Sequence, residues 1–171
     1  MSYEIGSKNR FLDNRLQLNG AVYYYDYKNQ QVTQYVPDMA TNAIVNAGQS
    51  RYYGVELDLL ANLTARDQLS AYVAWSDAEY TDFATAVGST NLQLAGNTPP
   101  QAPEWSINLG YEHDFALPTG VLTLRAQSHY ETSSYFTVYN YDYDKQDAYT
   151  RSDVIATYRP DAGAWKLEAY V

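Results

Sequence analysis

The 171-residue sequence has no cysteine, and its 11 lysine and arginine residues are outnumbered by 20 aspartate and glutamate residues. The lack of cysteine excludes a disulfide framework and thiolate metal sites. A formal net charge of -9 without clustered basic residues excludes nucleic acid as a partner, because phosphate binding needs lysine and arginine side chains. No run of about 18 apolar residues occurs, so a membrane-spanning role would require strands rather than helices.

Tyrosine is the aromatic residue that the sequence uses most, with 19 tyrosines against 4 phenylalanines and 3 tryptophans. A tyrosine ring can bury its face in an apolar environment while its hydroxyl stays in water. This composition favours an interface between apolar and aqueous environments. It also favours strands over disorder, since tyrosine is a good strand former.

Apolar and polar residues alternate along several segments, which is the pattern of strands. Leu57 and Leu59 fall on one predicted face, and Glu56 and Asp58 fall on the other. The pattern recurs over residues 69–76, 105–112, 122–126, 153–159 and 165–171, and the apolar positions of these segments carry no charge. Charged side chains are expensive against lipid and cheap against a wet lumen. We therefore expect a lumen-facing set of charged residues, namely Glu56, Asp58, Arg125, Lys166 and Glu168.

The face assignment of the strand over residues 15–27 stays open at this stage. Leu16, Leu18 and Val22 indicate one register, whereas Tyr23 and Tyr25, with Ala21 and Tyr27, make an aromatic face in the other. A shift of one residue would exchange the two faces. The alternation also allows this strand to continue as far as Val36.

Short and long connections alternate along the chain. Turns are expected at residues 9–14, 64–68, 117–120 and 160–163, and long links at 37–48, 81–103 and 134–147. This layout is typical of outer-membrane barrels, which have tight turns at one end and long loops at the other. It predicts an all-β fold, an antiparallel up-and-down transmembrane β-barrel to which residues 1–171 contribute about eight strands as one domain. A soluble β-sandwich is the alternative that periodicity alone leaves open.

No catalytic or metal-binding motif stands out, and we expect no enzymatic activity, no cofactor and no metal. His113 and His129 are the only histidines, and neither has a nucleophile or a carboxylate at a motif spacing. Asp142, Asp144 and Asp147 could offer oxygen ligands to Ca²⁺, but the glycine and distal glutamate of a calcium loop are missing. A solvated acidic loop is the simpler interpretation.

The last long link is rich in aromatic residues. If these rings form part of the aromatic girdle of a barrel, they anchor it at the membrane boundary. If they project from an outer loop, they offer a stacking surface to a bulky ligand such as an iron chelate, with arginine assisting an anionic ligand. The candidate ligand-contact residues are Tyr135, Phe136, Tyr139, Tyr141 and Tyr143.

Two long runs carry a resemblance to a known family. Residues 3–32, YEIGSKNRFLDNRLQLNGAVYYYDYKNQQV, contain a Gly-x-Lys strand end, a short turn and a strand ending in Asp-Tyr-Lys. Residues 51–83, RYYGVELDLLANLTARDQLSAYVAWSDAEYTDF, contain a Gly-x-Glu pattern at Gly54 and Glu56. Together with Pro103 after a long loop and the strand at Trp165, these features resemble the barrel of TonB-dependent outer-membrane receptors.

The resemblance implies the C-terminal part of a barrel of roughly 22 strands in the bacterial outer membrane, in contact with outer-membrane lipid. It further implies a receptor for a scarce nutrient, commonly a ferric siderophore, coupled to the TonB complex through a plug domain. The sequence contains no recognisable plug or TonB-contacting box, Met1 to Arg10 is not a secretory signal, and Val171 falls within a strand. We therefore expect a fragment. A receptor for cobalamin or a saccharide, or a small complete barrel with a structural or adhesion role, are the alternatives.

Overall fold

The structure, a computed structural model, describes residues 1–36, 40–87, 89–162 and 165–171. Eight strands form one antiparallel sheet in which spatial neighbours follow the order of the chain. They are β1 (Ser2–Phe11), β2 (Leu16–Lys28), β5 (Gln49–Asn62), β6 (Asp67–Asp82), β9 (Trp105–Leu117), β10 (Gly120–Glu131), β13 (Tyr149–Pro160) and β14 (Leu167–Tyr170). The predicted all-β meander of about eight strands is confirmed.

The other six strands form hairpins inside the long connections. They are β3 (Gln31–Val36) with β4 (Thr41–Asn46), β7 (Ala84–Val87) with β8 (Thr90–Gln93), and β11 (Ser134–Tyr135) with β12 (Lys145–Gln146). A 3₁₀ turn over Asp142–Asp144 adds the helical element of the last connection. Among the described residues, no helix has the length and apolar character needed to cross a membrane.

All short connections lie at one end of the sheet, which we call the turn end, and all long ones lie at the other, the loop end. The short connections cover 12–15, 63–66, 118–119 and 161–166, and the long ones cover 29–48, 83–104 and 132–148. The predicted alternation of connections is therefore present, although residues 37–39, 88 and 163–164, which belong to three of them, lie outside the described residues. The possible continuation of the second strand to Val36 does not occur, because Asn29 has φ 56° and interrupts the extended path after Lys28.

The sheet is open within the described part of the chain. β1 pairs with β2 alone, and β14 pairs with β13 alone. Each edge strand therefore presents backbone groups that a closed barrel would satisfy. The eight strands are a partial barrel, and the alternative of a small complete barrel does not describe their arrangement.

The strand register sorts the side chains onto two faces, because residues that are directly opposite in an antiparallel pair point to the same side. Asp58 lies opposite Asn19 on one side and Tyr72 on the other, and the row continues through other polar residues, namely Asn108, His129 and Arg151. We call this side the polar face. The opposite side, the apolar face, carries Leu57, Val73, Ile107 and Leu109 with their apolar neighbours.

The register also resolves the open question about β2. Tyr23 pairs with Gly54, so that Ala21 and the alternate tyrosines of β2 belong to the polar face. Leu18 pairs with Leu59, which places it on the apolar face. The register indicated by the leucines and Val22 is therefore the one that the strand adopts.

The apolar face is free of charge along its middle but not at its ends. Arg51 and Glu79 form an ion pair of 2.5 Å near the loop end, and Asp67 lies near the turn end. Asp77, near the loop end of β6, lies on the same apolar face as Asp67. The distance between the two residues along the strand is roughly 33 Å, or roughly 25 Å along the axis of a barrel with strands tilted by about 40°. This is close to the roughly 25 Å apolar band of outer-membrane barrels. The charges therefore bracket a band of spanning height.

Gly54 shows why the Gly-x-Glu pattern fits this sheet. A Cβ atom at Gly54 would lie 2.6 Å from the hydroxyl oxygen of Tyr23 and 2.4 Å from the carbonyl oxygen of Trp75. The Tyr23 ring therefore lies across the position that a side chain would occupy. Glycine permits this cross-strand covering, which a larger residue would displace.

The hydrophobic core lies at the loop end rather than within the sheet. Its members come from the end of β6 and from all three long connections, namely Ala47, Tyr80, Phe83, Leu94 and Val138. Tyr80 and Phe83 pack edge to face with their ring centroids 4.9 Å apart. The three long connections therefore form one packed unit, which we call the loop cluster.

Candidate ligand-binding site

Three tyrosines of the last long connection form a continuous stack. The rings of Tyr139 and Tyr141 have centroids 5.5 Å apart and planes inclined by 15°, and those of Tyr141 and Tyr143 have centroids 5.1 Å apart and planes inclined by 21°. Tyr143 stands at the end of the stack and is 85% exposed. Offset stacking at these distances is a favourable arrangement of aromatic rings. The stack presents an aromatic surface to solvent.

A cavity of about 520 Å³ opens beside this stack. Residues of all three connections line it: Tyr35, Val87, Thr90, Leu92, Thr137, Tyr139, Tyr141, Tyr143 and Asp144. Its volume lies within the usual range of small-molecule sites, which is roughly 300 to 1,000 Å³. A mostly apolar and aromatic lining with a few hydroxyl groups is also typical of such sites.

Hydrogen bonds to neighbouring connections fix the base of the stack. The buried Gln34 side chain donates from Nε2 to the Tyr139 hydroxyl at 2.7 Å, and its Oε1 accepts from the Thr85 hydroxyl at 2.8 Å. The Tyr139 hydroxyl donates in turn to the Tyr35 carbonyl oxygen at 3.2 Å. Gln34 thus ties the connection that contains β3 to the other two connections.

The backbone beside the stack is tied to the middle connection as well. Asn140 accepts from the Thr98 backbone N–H at 2.7 Å and donates to the Thr98 carbonyl oxygen at 2.9 Å. Asn97 donates to the Val138 carbonyl oxygen at 2.9 Å. Asn140 has φ 56°, a conformation that asparagine adopts more readily than most residues do. The aromatic stack therefore stands on a fixed base.

The structure brings three of the five candidate aromatics together and leaves two apart. Tyr135 lies in β11, where the Lys145 ammonium stands 5.8 Å from its ring centroid, and it faces a different cavity. Phe136 is 54% exposed and does not line the cavity of the stack. Sequence reasoning missed Gln34, Tyr35 and Leu92, because nothing in their local pattern indicates that three distant connections meet.

The charged residues expected to share a face do so, but they do not form one site. Asp58 and Arg125 line a shallow cavity of about 510 Å³ on the polar face, where Arg125 also contacts Glu112 at 3.3 Å. Glu56 lines two depressions nearer β1, one of which Asp58 also lines. Lys166 donates to Glu168 at 3.1 Å at the β14 edge. These residues give the polar face a mixed charge.

The two histidines lie on opposite faces and have carboxylate neighbours that sequence spacing did not reveal. His113 Nδ1 lies 2.5 Å from Asp67 Oδ1 on the apolar face at the turn end. His129 Nε2 lies 3.2 Å from Glu131 Oε1 on the polar face, and its Nδ1 lies 2.8 Å from the Asn108 side-chain oxygen. Within the described ranges, no three histidine or carboxylate side chains are grouped so as to hold a metal ion.

Asp67 is the residue whose protonation the structure perturbs most clearly at the turn end. Hydrogen bonds from the Thr64 hydroxyl, the Tyr111 hydroxyl and His113 hold the pKa of Asp67 well below its ordinary value. The Tyr111 hydroxyl donates to the carboxylate at 2.6 Å. These contacts join the turn before β6 to β9.

An open antiparallel sheet with one polar and one apolar face, short turns at one end and packed loops at the other, defines the wall of a transmembrane barrel. The family model described as "TonB dependent receptor-like, beta-barrel" matches residues 1–171. The chain belongs to the TonB-dependent receptor family, whose barrels lie in the outer membrane. The family resemblance inferred from the sequence is confirmed.

Two curated relatives are siderophore-related by name. The chain is 29% identical over 161 residues to the probable TonB-dependent siderophore receptor PiuA of Acinetobacter baumannii, which covers 92% of this chain and 20% of the relative. It is 31% identical over 134 residues to the ferrichrome outer membrane transporter/phage receptor of Escherichia coli K12, covering 78% of this chain and 16% of the relative.

Solved structures agree with this fold. The crystal structure of PiuA from Acinetobacter baumannii matches with a TM-score of 0.71 and 30% identity over 92% of this chain and 22% of that chain. The ferric yersiniabactin uptake receptor FyuA of Yersinia pestis matches with a TM-score of 0.70 and 17% identity over 99% of this chain and 27% of that chain. The chain spans about a fifth of the length of the curated relatives that it matches.

Proposed function

We propose that this chain forms an arc of the barrel wall of a TonB-dependent receptor in the bacterial outer membrane and serves in the uptake of a ferric siderophore. The observation that carries the proposal is the joining of a two-faced sheet to a loop cluster that holds an aromatic cavity. The names of the relatives that reach about 30% identity support the siderophore as the nutrient.

In this proposal the polar face lines the lumen and the apolar face contacts lipid. An arginine or lysine facing lipid at the middle of the bilayer costs about 2 to 4 kcal/mol, whereas a lumen-facing charge costs little. Five charged residues share the polar face at positions away from the strand ends or at the β14 edge, namely Glu56, Asp58, Arg125, Lys166 and Glu168. Leu57 and Leu109 on the opposite face are 47% and 52% exposed, which suits contact with lipid chains.

The turn end then faces the periplasm and the loop end faces the exterior, as is usual for outer-membrane barrels. Trp75 and Trp105, 6.5 Å apart between centroids on the apolar face, lie just below the ion pair of Arg51 and Glu79. Tryptophan is favoured at the boundary between lipid chains and headgroups. This position matches the outer aromatic girdle, and we assign no ligand role to Trp75 or Trp105.

The ligand contacts that we propose come from the stack. Tyr141 and Tyr143 offer exposed ring faces to the cavity, while Tyr139 also supports the stack from below. Tyr135 and Phe136, which the cavity does not include, are assigned to the loop scaffold instead.

In the proposed receptor, a plug domain contacts the TonB complex and couples uptake to energy. Residues 1–171 contribute to the barrel wall and are assigned no part in that contact. The proposal includes no catalytic step and no resident cofactor.

The test is uptake of labelled ferric chelates by cells that produce the intact receptor containing this segment. Replacement of Tyr141 and Tyr143 with alanine should lower uptake at least about fivefold, since each aromatic contact is worth roughly 0.5 to 1.5 kcal/mol. Phe136→Ala is the matched control, because Phe136 is an exposed aromatic of the same connection outside the cavity. Equal uptake by the double variant and the wild type, at equal amounts of folded barrel, would contradict the proposed contact.

A further inference from the structure

The cavity beside the tyrosine stack has a lining of one charge sign. Of the described residues that line the cavity, Asp144 is the one with a charged side chain, and the others are aromatic, aliphatic or hydroxyl-bearing. The residues outside the described ranges are Pro37, Asp38, Met39, Gly88, Gly163 and Ala164, and none of them is a lysine or an arginine. The chain therefore supplies no cation to this cavity.

The surroundings of the cavity have the same sign. Across the three long connections, 29–48, 83–104 and 132–148, the sequence places five acidic residues, Asp38, Glu104, Asp142, Asp144 and Asp147, against one basic residue, Lys145. Lys145 stands over the Tyr135 ring and lines the other cavity, together with Asp77 and Glu104. An anion that approaches the stack would therefore meet surroundings in which acidic residues outnumber basic ones, and the one lysine lies in the other cavity.

The lining also favours a ligand with a flat or apolar surface. The Tyr143 ring is 85% exposed at the end of the stack, and Leu92 and Val87 add aliphatic side chains to the lining. Ring faces attract flat unsaturated groups and cations, and aliphatic walls attract uncharged surfaces. The Thr90 hydroxyl can offer a hydrogen bond to a neutral carbonyl or amide group.

We propose that this cavity selects an uncharged ferric chelate and disfavours an anionic one. An iron(III) ion bound by three singly charged hydroxamate groups has no net charge, whereas the same ion bound by three doubly charged catecholate groups is a trianion. The uncharged chelate meets no repulsion from the Asp144 carboxylate, whereas the trianion is repelled by it. This inference rests on the proposed function, since it specifies the ligand class of the same site.

The experiment compares the two kinds of chelate on the intact receptor. Binding of a ferric trihydroxamate and of a ferric tris-catecholate is measured on purified receptor by quenching of its intrinsic fluorescence, at low and at high ionic strength. We expect the trihydroxamate to bind at least about tenfold more tightly at low ionic strength. The difference should shrink at high ionic strength, because salt screens the repulsion of the trianion.

Asp144→Asn gives the charge test within the cavity. The amide keeps an oxygen that can accept the hydrogen bond from the Thr137 hydroxyl while it removes the charge. We expect affinity for the tris-catecholate to rise about threefold or more and affinity for the trihydroxamate to stay unchanged. Asp142→Asn is the matched control, since Asp142 lies outside the cavity lining, and it should have the smaller effect.

The outcomes separate the inference from the proposed function. Tighter binding of the tris-catecholate, or an unchanged ratio of the two affinities in Asp144→Asn, would overturn the charge selection and leave siderophore uptake standing. Binding of neither chelate would overturn the proposed function and this inference with it. A preference for the trihydroxamate that narrows in Asp144→Asn would support both.

Discussion

The sheet and the loop cluster are built on different principles. In the sheet, Leu57 and Leu109 remain about half-exposed, and the strands are joined mainly by their backbone ladders. In the loop cluster, Phe83 and Ala47 are fully buried and Tyr80 and Val138 nearly so. The cluster therefore has the inward-facing core of a small soluble domain, while the sheet leaves both of its faces to be covered by something else.

This difference determines how each region responds to mutation. In the proposed barrel, the effect of a side chain on the sheet depends on the medium that it meets, which is lipid on the apolar face and water on the polar face. In the loop cluster, the effect of a side chain depends on how well it packs and on whether buried polar groups keep their hydrogen bonds. The same substitution should therefore have different effects in the two regions.

The largest effect is expected from a charge on the apolar face. Leu57→Arg or Leu109→Arg would place a guanidinium against lipid at a cost of about 2 to 4 kcal/mol, and we expect loss of assembled receptor. Asp58→Asn, one residue along on the polar face, should assemble normally. Heat-modifiable mobility of the intact receptor on gels measures this, and equal tolerance at both kinds of position would show that the assigned faces are wrong.

The next effect concerns the core of the cluster. Phe83→Ala removes a fully buried ring, and such truncations cost about 3 to 5 kcal/mol. We expect the long connections to become open to protease while the barrel keeps its heat-modifiable mobility. Phe115→Ala, on the apolar face of β9 with the ring 42% exposed, is the comparison variant and should leave the loops protected. Loss of the barrel in Phe83→Ala would mean that wall and cluster are not separable.

A smaller effect is expected from the buried amide that joins the connections. Gln34→Ala leaves the Thr85 hydroxyl without this acceptor and leaves the Tyr139 hydroxyl with the Tyr35 carbonyl oxygen as its partner, at a cost of about 1 to 3 kcal/mol. Chelate uptake should fall while the amount of barrel stays constant, and protease sensitivity should rise less than in Phe83→Ala. Gln31→Ala, an exposed glutamine of β3, is the control. Unchanged uptake in Gln34→Ala would show that the stack does not depend on this contact.

The smallest effect is a pH dependence at the turn end. Because the folded state holds the pKa of Asp67 below its ordinary value, the carboxylate contributes stability above that ordinary value, about 3.9. This contribution is lost as the pH falls through the folded pKa. The thermal unfolding temperature of the wild type should therefore start to fall below about pH 5 and continue to fall as the pH approaches the folded pKa, and that of Asp67→Asn should fall less. Parallel curves for the two proteins would exclude a stabilising role for this cluster.

The two regions also differed in how far the sequence could predict them. Alternation with a period of two located most strands of the eight-stranded sheet and the shared face of Glu56, Asp58 and Arg125, because side-chain direction in a strand follows directly from position. Where local signals competed, as for Leu18 against Tyr23, only pairing with Leu59 and Gly54 decided the face. The charges of the apolar face at Arg51 and Glu79 lay beyond the segments in which the alternation was clear.

The cluster was predictable only in part. The density of tyrosine in the last connection pointed to Tyr139, Tyr141 and Tyr143, but nothing separated these residues from Tyr135 and Phe136. The separation comes from contacts between residues more than 100 positions apart, such as Gln34 with Tyr139. Contacts of this kind arise because the strands bring three loops together, and the local sequence pattern does not predict them.

The shared core of the three long connections has a consequence for protein engineering and for divergence among relatives. Exchanging one loop with that of another receptor would remove Phe83, Val138 or Ala47 from a core to which all three loops contribute. The remaining two loops would then surround a void or a clash. To transfer a ligand preference between receptors through this segment, all three loops should therefore be exchanged together. Among relatives, substitutions in one of these loops should be correlated with substitutions in the other two.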